Sequence, residues 1–276
     1  MTEIPTSPLL NETVEEVAEE YNEVATDAER FAFLPRGIEY QKERIDNLDE
    51  FLDWVEEKFE VAQQNPLKGV GKTGNPGRPA NQILMFICMA RALRNELQMW
   101  VQLKNEEWES AWGSLIDAQE WASSAKSADP ISQFCGMEGY KEKLISHERF
   151  LFPPHQYVSP GMVVGSYICS ICGEEYDSCP HLEGIAYNGV FCNRVIRDIE
   201  FTEVSFVDEP HDKKARVRGH YTDDGFRNQM TWEIEDGEDG RDEELVGETP
   251  DYIDDDDVED FLQIEATVMT ADDVEE

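Results

Sequence analysis

Apolar residues along this chain change their period near residue 150, and that change organises the reading. From Ile38 to Gln64, Ile45, Leu48, Phe51, Leu52, Val55, Phe59 and Ala62 recur at three- and four-residue steps, with acids and Lys on the other face. That spacing predicts an amphipathic helix. A Pro/Gly-rich break follows, NPLKGVGKTGNPGRP at 65–79. Helical periodicity then resumes after Pro79 and runs to about Ala125, through Leu84, Ile87, Leu93, Leu97, Trp100, Trp112, Leu115 and Trp121. One straight helix of that length would span about 70 Å, so a break is expected near Lys104–Asn105 or at Gly113. Another helix is predicted over 138–149.

Beyond Phe150 the pattern turns to short β-prone runs separated by turn residues: Met162–Val164, Ser166–Ile168, Val190–Cys192, Val195–Ile199 and Thr202–Val207. KKARVRGH, 213–220, reads as one more edge strand. Upstream, ETVEEVAEEYNEVATDAER carries apolar residues at helical spacing, compatible with a docked helix, but its acid content favours a charged leader. The expected fold class is α+β: a helical domain, then a small β-rich zinc-binding module, with disordered acidic tails. The boundaries are 1–37 for the acidic leader and 38–150 for the helical domain with its 65–79 loop. The β-rich module is 151–220 and the acidic tail 221–276. Within the tail, the apolar FLQIEATVM at 261–269 is a candidate docking motif.

Charge sharpens this division. The net charge is −38, but residues 1–30 hold nine acids and one Arg, and 221–276 hold twenty-three acids and two Arg. The 190 residues between carry 29 acids against 20 Lys plus Arg. Two readings of the acidity stay open: adaptation to a high-salt (halophilic) interior, or an ordinary acidic protein with solvated ends. On either reading the chain is a poor partner for nucleic-acid phosphates, which demand a basic surface. The longest apolar run, Ile83 to Ala90, is too short to cross a bilayer. MTEIPTSPLL lacks the basic and apolar regions of a signal peptide, which points to the cytoplasm.

The chemistry gathers in CSICGEEYDSCPH. Cys169, Cys172, Cys179 and His181 lie within thirteen residues, and Cys192 follows in GVFC. Cys-x2-Cys places two thiolates on one turn, and Cys179 and His181 can project the same way from an extended stretch. Four N/S donors suit a closed, tetrahedral, structural zinc ion. The alternatives are inert buried thiols, which fits Cys88 and Cys135, or disulfides, which an oxidising compartment would favour. The polar, turn-rich surroundings of 169–192 argue for metal. Which four of the five bind stays open: the first four are compact, whereas Cys192 in place of Cys179 or His181 gives two separated ligand pairs.

GVGKT at 69–73 imitates a phosphate loop, but the position where the first glycine belongs is Pro66. A helix, not a buried strand, precedes it, so a flexible hinge is expected.

Around the cluster the chain resembles a family of uncharacterised bacterial, archaeal and phage-associated proteins. The matching residues are Leu151, Phe152, Pro153, Pro154, Val158 and Ser159. Next come Cys169, Cys172, Gly173, Tyr176, Cys179, His181, Gly184, Tyr187, Gly189 and Cys192, and then Glu203 to Pro210 as EVSFVDEP. The resemblance covers about 70 residues and implies a metal site without an assigned activity. EVSFVDEP followed by KKARV also resembles the closing strand of phage prohead maturation proteases, which implies a serine protease. Here Ser205 sits inside an alternating strand, and His147 and His155 are bases without a placed nucleophile.

The expected function is therefore a non-enzymatic, zinc-stabilised structural or protein-interaction module with a protein partner. The resemblance suggests a virus or provirus, and with it a virion location. Two alternatives are a capsid-maturation protease and a zinc module that meets nucleic acid through Lys213, Lys214, Arg216 and Arg218. A third is a catalytic metal site with Glu174 or Glu175 as base.

Overall fold

A computed structural model describes residues 12–64, 77–222 and 225–235. The GVGKT loop, the 261–269 motif and most of the acidic tail lie outside these residues. The chain is α+β: five helices, then small antiparallel sheets. It divides into two compact units. One combines the described part of Met1–Leu151 with Met162–Phe201; the other combines Phe152–Gly161 with the described part of Thr202–Glu276.

The first unit is built on α3 (Arg78–Lys104), whose buried residues run all round the helix, Ile83, Met85, Phe86, Leu93, Leu97 and Met99 among them. A helix apolar on every side must be enclosed, and α1 (Glu12–Glu29), α2 (Ile38–Gln64) and α4 (Trp108–Ala128) all pack against it. Pro79 occupies the first turn, where its missing N–H leaves no bond unmade. The long helical region breaks at 105–107, the first of the two expected places: Glu106 takes φ 64°, while Gly113 lies inside α4. Helix α5 (Met137–Leu151) packs on α4.

The leader expectation fails for α1. Val14, Val17, Ala18, Tyr21, Ala25 and Ala28 form one buried stripe, and the Tyr21 ring lies 5.9 Å from Phe51 and 5.4 Å from Phe86. Three of those six residues are alanines, whose small side chains let the helix approach closely; the glutamates occupy the outer face.

Buried among the helices is Glu96, which accepts a hydrogen bond from the Tyr140 hydroxyl at 2.9 Å and pairs with the Lys143 ammonium at 2.7 Å. His147 Nδ1 stands 3.8 Å from the same carboxylate, and its ring is edge-on to Trp100 at 5.1 Å. Burial raises the Glu96 carboxyl, against the lowering effect of Lys143. Burial and then Lys143 push His147 down to about 4.

After α5 the chain forms β1 (Tyr157–Cys169), which pairs with β4 (Arg194–Val207); the two runs expected at 162–164 and 166–168 are parts of this one strand. In the second unit Val158 N–H donates to the Ala215 carbonyl at 3.0 Å and Val217 N–H to that of Gln156 at 2.9 Å. The edge strand expected over 213–220 shrinks to a single bridge at Arg216, and regular pairing starts only at β5 (Gly219–Thr222). Disorder beyond Tyr221 is also corrected for part of its range. β6 (Gly225–Asn228) pairs with β5, and β7 (Ile234–Glu235) with β6. The Tyr221 and Phe226 rings meet at 5.2 Å across β5 and β6, and in the turn from β6 to β7 the Asn228 side chain accepts from Met230 N–H at 2.7 Å.

Candidate metal centre

Strand β1 delivers Cys169 to the end of the ribbon, where its side chain is buried. The chain then reverses: Gly173 N–H donates to the Cys169 carbonyl and Cys169 N–H to the Glu174 carbonyl, both at 2.9 Å. Gly173 makes the reversal with φ 74°, a conformation that a side chain would oppose. Backbone N–H groups of Cys172 and Ile171 point at the Cys169 sulfur. A single 3-10 turn, Tyr176–Ser178, leads to Cys179, and extended backbone through Pro180 brings in His181.

The result is a cluster. The ligand atoms of Cys169, Cys172, Cys179 and His181 all lie within 4.8 Å of one another, a spacing within which one metal ion can be held. Cys169 Sγ is 3.7 Å from His181 Nδ1 and also 3.7 Å from Cys192 Sγ. For comparison, two sulfurs on a tetrahedral ion with bonds of about 2.3 Å stand roughly 3.8 Å apart. The fifth candidate therefore reaches the cluster through its contact with Cys169.

Cys192 is carried there by a hairpin, β2 (Ala186–Tyr187) against β3 (Val190–Phe191), with Ala186 opposite Phe191 and Tyr187 opposite Val190. Asn188 and Gly189 at its tip have φ of 51° and 82°, the pair of positive values that a two-residue type I′ turn requires. Cys192 N–H donates to Ile185 O at 2.9 Å, and Gly184 N–H to Cys192 O at 2.8 Å. Two tyrosines brace the loop: Tyr187 OH accepts from Leu182 N–H at 3.0 Å and Tyr176 OH from Glu183 N–H at 2.8 Å. The Tyr187 ring also lies edge-on to His181 at 4.7 Å, fixing the imidazole.

Electrostatics inside the cluster favours a cation. Burial would raise the Cys169 thiol, but the N–H groups of Cys172 and Ile171 and the neighbouring thiols bring it down to about 6. Burial and then the nearby Cys169 push Cys192 up to about 11, and Cys179 is raised by burial as well. Sulfurs this close oppose one another's ionisation, and a divalent ion removes the conflict. All six cysteines are free thiols in this structure, so it contains no disulfide.

One helical residue anchors the hairpin. Asn81, 3 % exposed near the start of α3, donates from Nδ2 to the Ala186 carbonyl at 2.8 Å and accepts from Gly189 N–H at 2.7 Å. Asn188 Nδ2 donates to the Gln63 carbonyl at 3.0 Å, and Gln63 Nε2 returns a bond to Asn188 O at 3.2 Å. A Cβ on Gly189 would lie 2.5 Å from the Phe59 ring.

The remaining sequence candidates lie elsewhere. Cys88 and Cys135 are buried thiols raised to about 12 and 11 by burial. Ser205 donates to Glu203 at 3.3 Å, and His147 belongs to the Glu96 cluster in the helices. His155 lies beside Tyr157, lowered to about 4 by burial and then by Arg216. Arg216 is 2 % exposed, which withdraws it from any basic surface with Lys213, Lys214 and Arg218. The side chains of Glu174 and Glu175 are exposed.

Compared with protein-family models, curated proteins and solved structures, the chain matches none of them. Among the described residues, no helix is long and apolar enough to cross a membrane.

Proposed function

We propose that the cluster holds a structural zinc ion and that the protein acts as a zinc-stabilised structural or interaction module for a protein partner, not as an enzyme. The observation that carries this reading is the convergence of Cys169, Cys172, Cys179 and His181 within 4.8 Å. Three thiolates and an imidazole are a closed N/S set, which fills a tetrahedral ion and leaves no position for a reacting water. In such a site the metal contributes folding free energy rather than Lewis acidity. The segment it would clamp has no apolar core of its own, since residues 170–185 are exposed or only half-buried. Cys192, in contact with Cys169, is the donor that would complete an all-sulfur set in place of His181.

The test is elemental analysis of the purified chain with chelator titration, followed by amide exchange across 162–201. The proposal expects about one zinc per chain and loss of protection in that segment as metal is withdrawn. His181→Ala and Cys192→Ala, compared for retained metal, identify the fourth ligand. Metal-free protein with a fully protected segment would overturn the reading. A His181→Ala variant that stays folded and metallated but loses a hydrolytic activity would move it to a catalytic site.

A further inference from the structure

The ribbon of β1 and β4 leaves a sheet edge and an apolar face open. Among the described residues β4 pairs only with β1, and all eleven residues from Arg194 to Val204 are exposed. Two strands bury too little to be stable alone, and a bare strand edge is a template for another strand.

The faces of β4 follow from a bulge. Ser170 bonds across to Asn193, and Gly165 faces Asp198, its Cβ position 2.9 Å from that of Asp198. A Cβ on Gly161 would lie 2.8 Å from Glu203 Cγ and 3.6 Å from its carbonyl oxygen, one residue further along β4 than a regular ladder would place it, with Thr202 Oγ1 beside it at 3.0 Å. The extra residue sits at Asp198, where φ is 55°. A bulge shifts the alternation by one, so Ile196, Ile199 and Phe201 share a face and Arg197 and Glu200 share the other. Across the ribbon, Val163 and Tyr167 join the apolar face, and the exposure pattern agrees. Residues 163, 165 and 167 of β1 are exposed, whereas 164, 166 and 168 are half-buried.

We propose that β4 pairs antiparallel with β4 of a second copy of this chain, with a two-fold axis between Asp198 and Ile199. In that register Arg197 stands opposite Glu200 of the other copy, and Ile196 opposite its Phe201, each pair occurring twice. Without the bulge this register would be impossible, because residues 196 and 201 would point to opposite faces. Sliding one residue in one direction sets Asp198 opposite Glu200; sliding the other way sets Ile196 opposite Glu200. Of these registers, the proposed one sets opposite charges and apolar side chains against each other. The pairing extends two ribbons into one four-stranded sheet and covers the flanks of Ile196, Ile199 and Phe201, which is 65 % exposed in the single chain.

A charge swap tests it, with the full chain followed by sedimentation over a concentration series near 0.1 M salt. Arg197→Glu and Glu200→Arg should each weaken the dimer about tenfold or more, because each turns two cross-strand attractions into repulsions. The double variant R197E/E200R should restore it to within about threefold. Both side chains are exposed, and unchanged circular dichroism and metal content will verify folding. A full chain that stays monomeric overturns the proposal and leaves the edge to its own 261–269 segment or to another protein. A dimer that neither single variant weakens, or that the double fails to restore, overturns it equally.

Discussion

Helix α3 and the 162–201 segment belong to one compact unit yet hold their shape by opposite means. Around α3 the stabilisation is apolar burial: Ile83, Leu93, Leu97 and Met99 are fully buried, and three helices share the enclosure. In the cysteine-rich segment, by contrast, few side chains are buried, and Cys169 and Cys192 are two of them. There the contacts converge on a ligand cluster and a hairpin pinned by polar bonds. The contrast teaches that a short polar segment can be ordered by few interactions, provided each is strong and directional, whereas a bundle depends on many weak ones.

Damaging each region at its centre breaks the comparison most sharply. Cys169→Ser should abolish metal binding and unprotect the hairpin amides while the helical circular dichroism signal persists. Structural zinc in small domains contributes about 10 kcal/mol or more. Leu97→Ala should do the reverse, lowering helical stability by about 2–5 kcal/mol with the metal-to-protein ratio unchanged. Equal loss of both signals in both variants would mean that the two regions do not differ as argued.

A smaller effect is expected at their junction. Asn81→Ala leaves the Ala186 carbonyl and Gly189 N–H without partners in a buried site, at a cost of about 1–3 kcal/mol for each. Chelation should then unprotect the hairpin at lower chelator concentration than in the wild type, read by amide exchange.

The smallest effect is confined to the helices. The unfolded chain protonates His147 near pH 6.5, the folded one only at about 4. Between those values the unfolded state binds more protons, so this group makes stability rise with pH and fall on acidification. Glu96, raised by burial, works in the opposite sense above its ordinary value. His147→Gln should therefore flatten the acid limb of the helical stability profile by less than about 1.4 kcal/mol per pH unit, in urea titrations between pH 4 and 6.5.

Sequence periodicity reached the two regions unequally. Helices α2, α3, α4 and α5 were legible because large apolar residues recur at helical steps, and the break after Lys104 followed from length alone. Helix α1 is the exception, because its contact face is half alanine among glutamates, a pattern that resembles a solvated helix until its neighbours are seen. The cysteine cluster was legible from spacing, since ligand chemistry demands particular residue types close together. Tyr187-Asn188-Gly189-Val190 carries an equally clear hairpin signal, Asn-Gly being the preferred type I′ pair. The role of Asn81 was hidden, because a lone polar residue in an apolar helix does not announce which backbone it will bind. Sheet β5–β6–β7 was hidden for a similar reason: its turn depends on the Asn228 side chain, and its strands are short and polar.

Gly189 carries a consequence for how this segment can vary. With the tip of the hairpin lodged against Phe59 and its backbone held by Asn81, neither a longer turn nor a bulkier residue has room there. Any drift in length among descendants of this sequence, and any tag or fluorophore an experimenter wishes to insert, has to be taken up away from that tip.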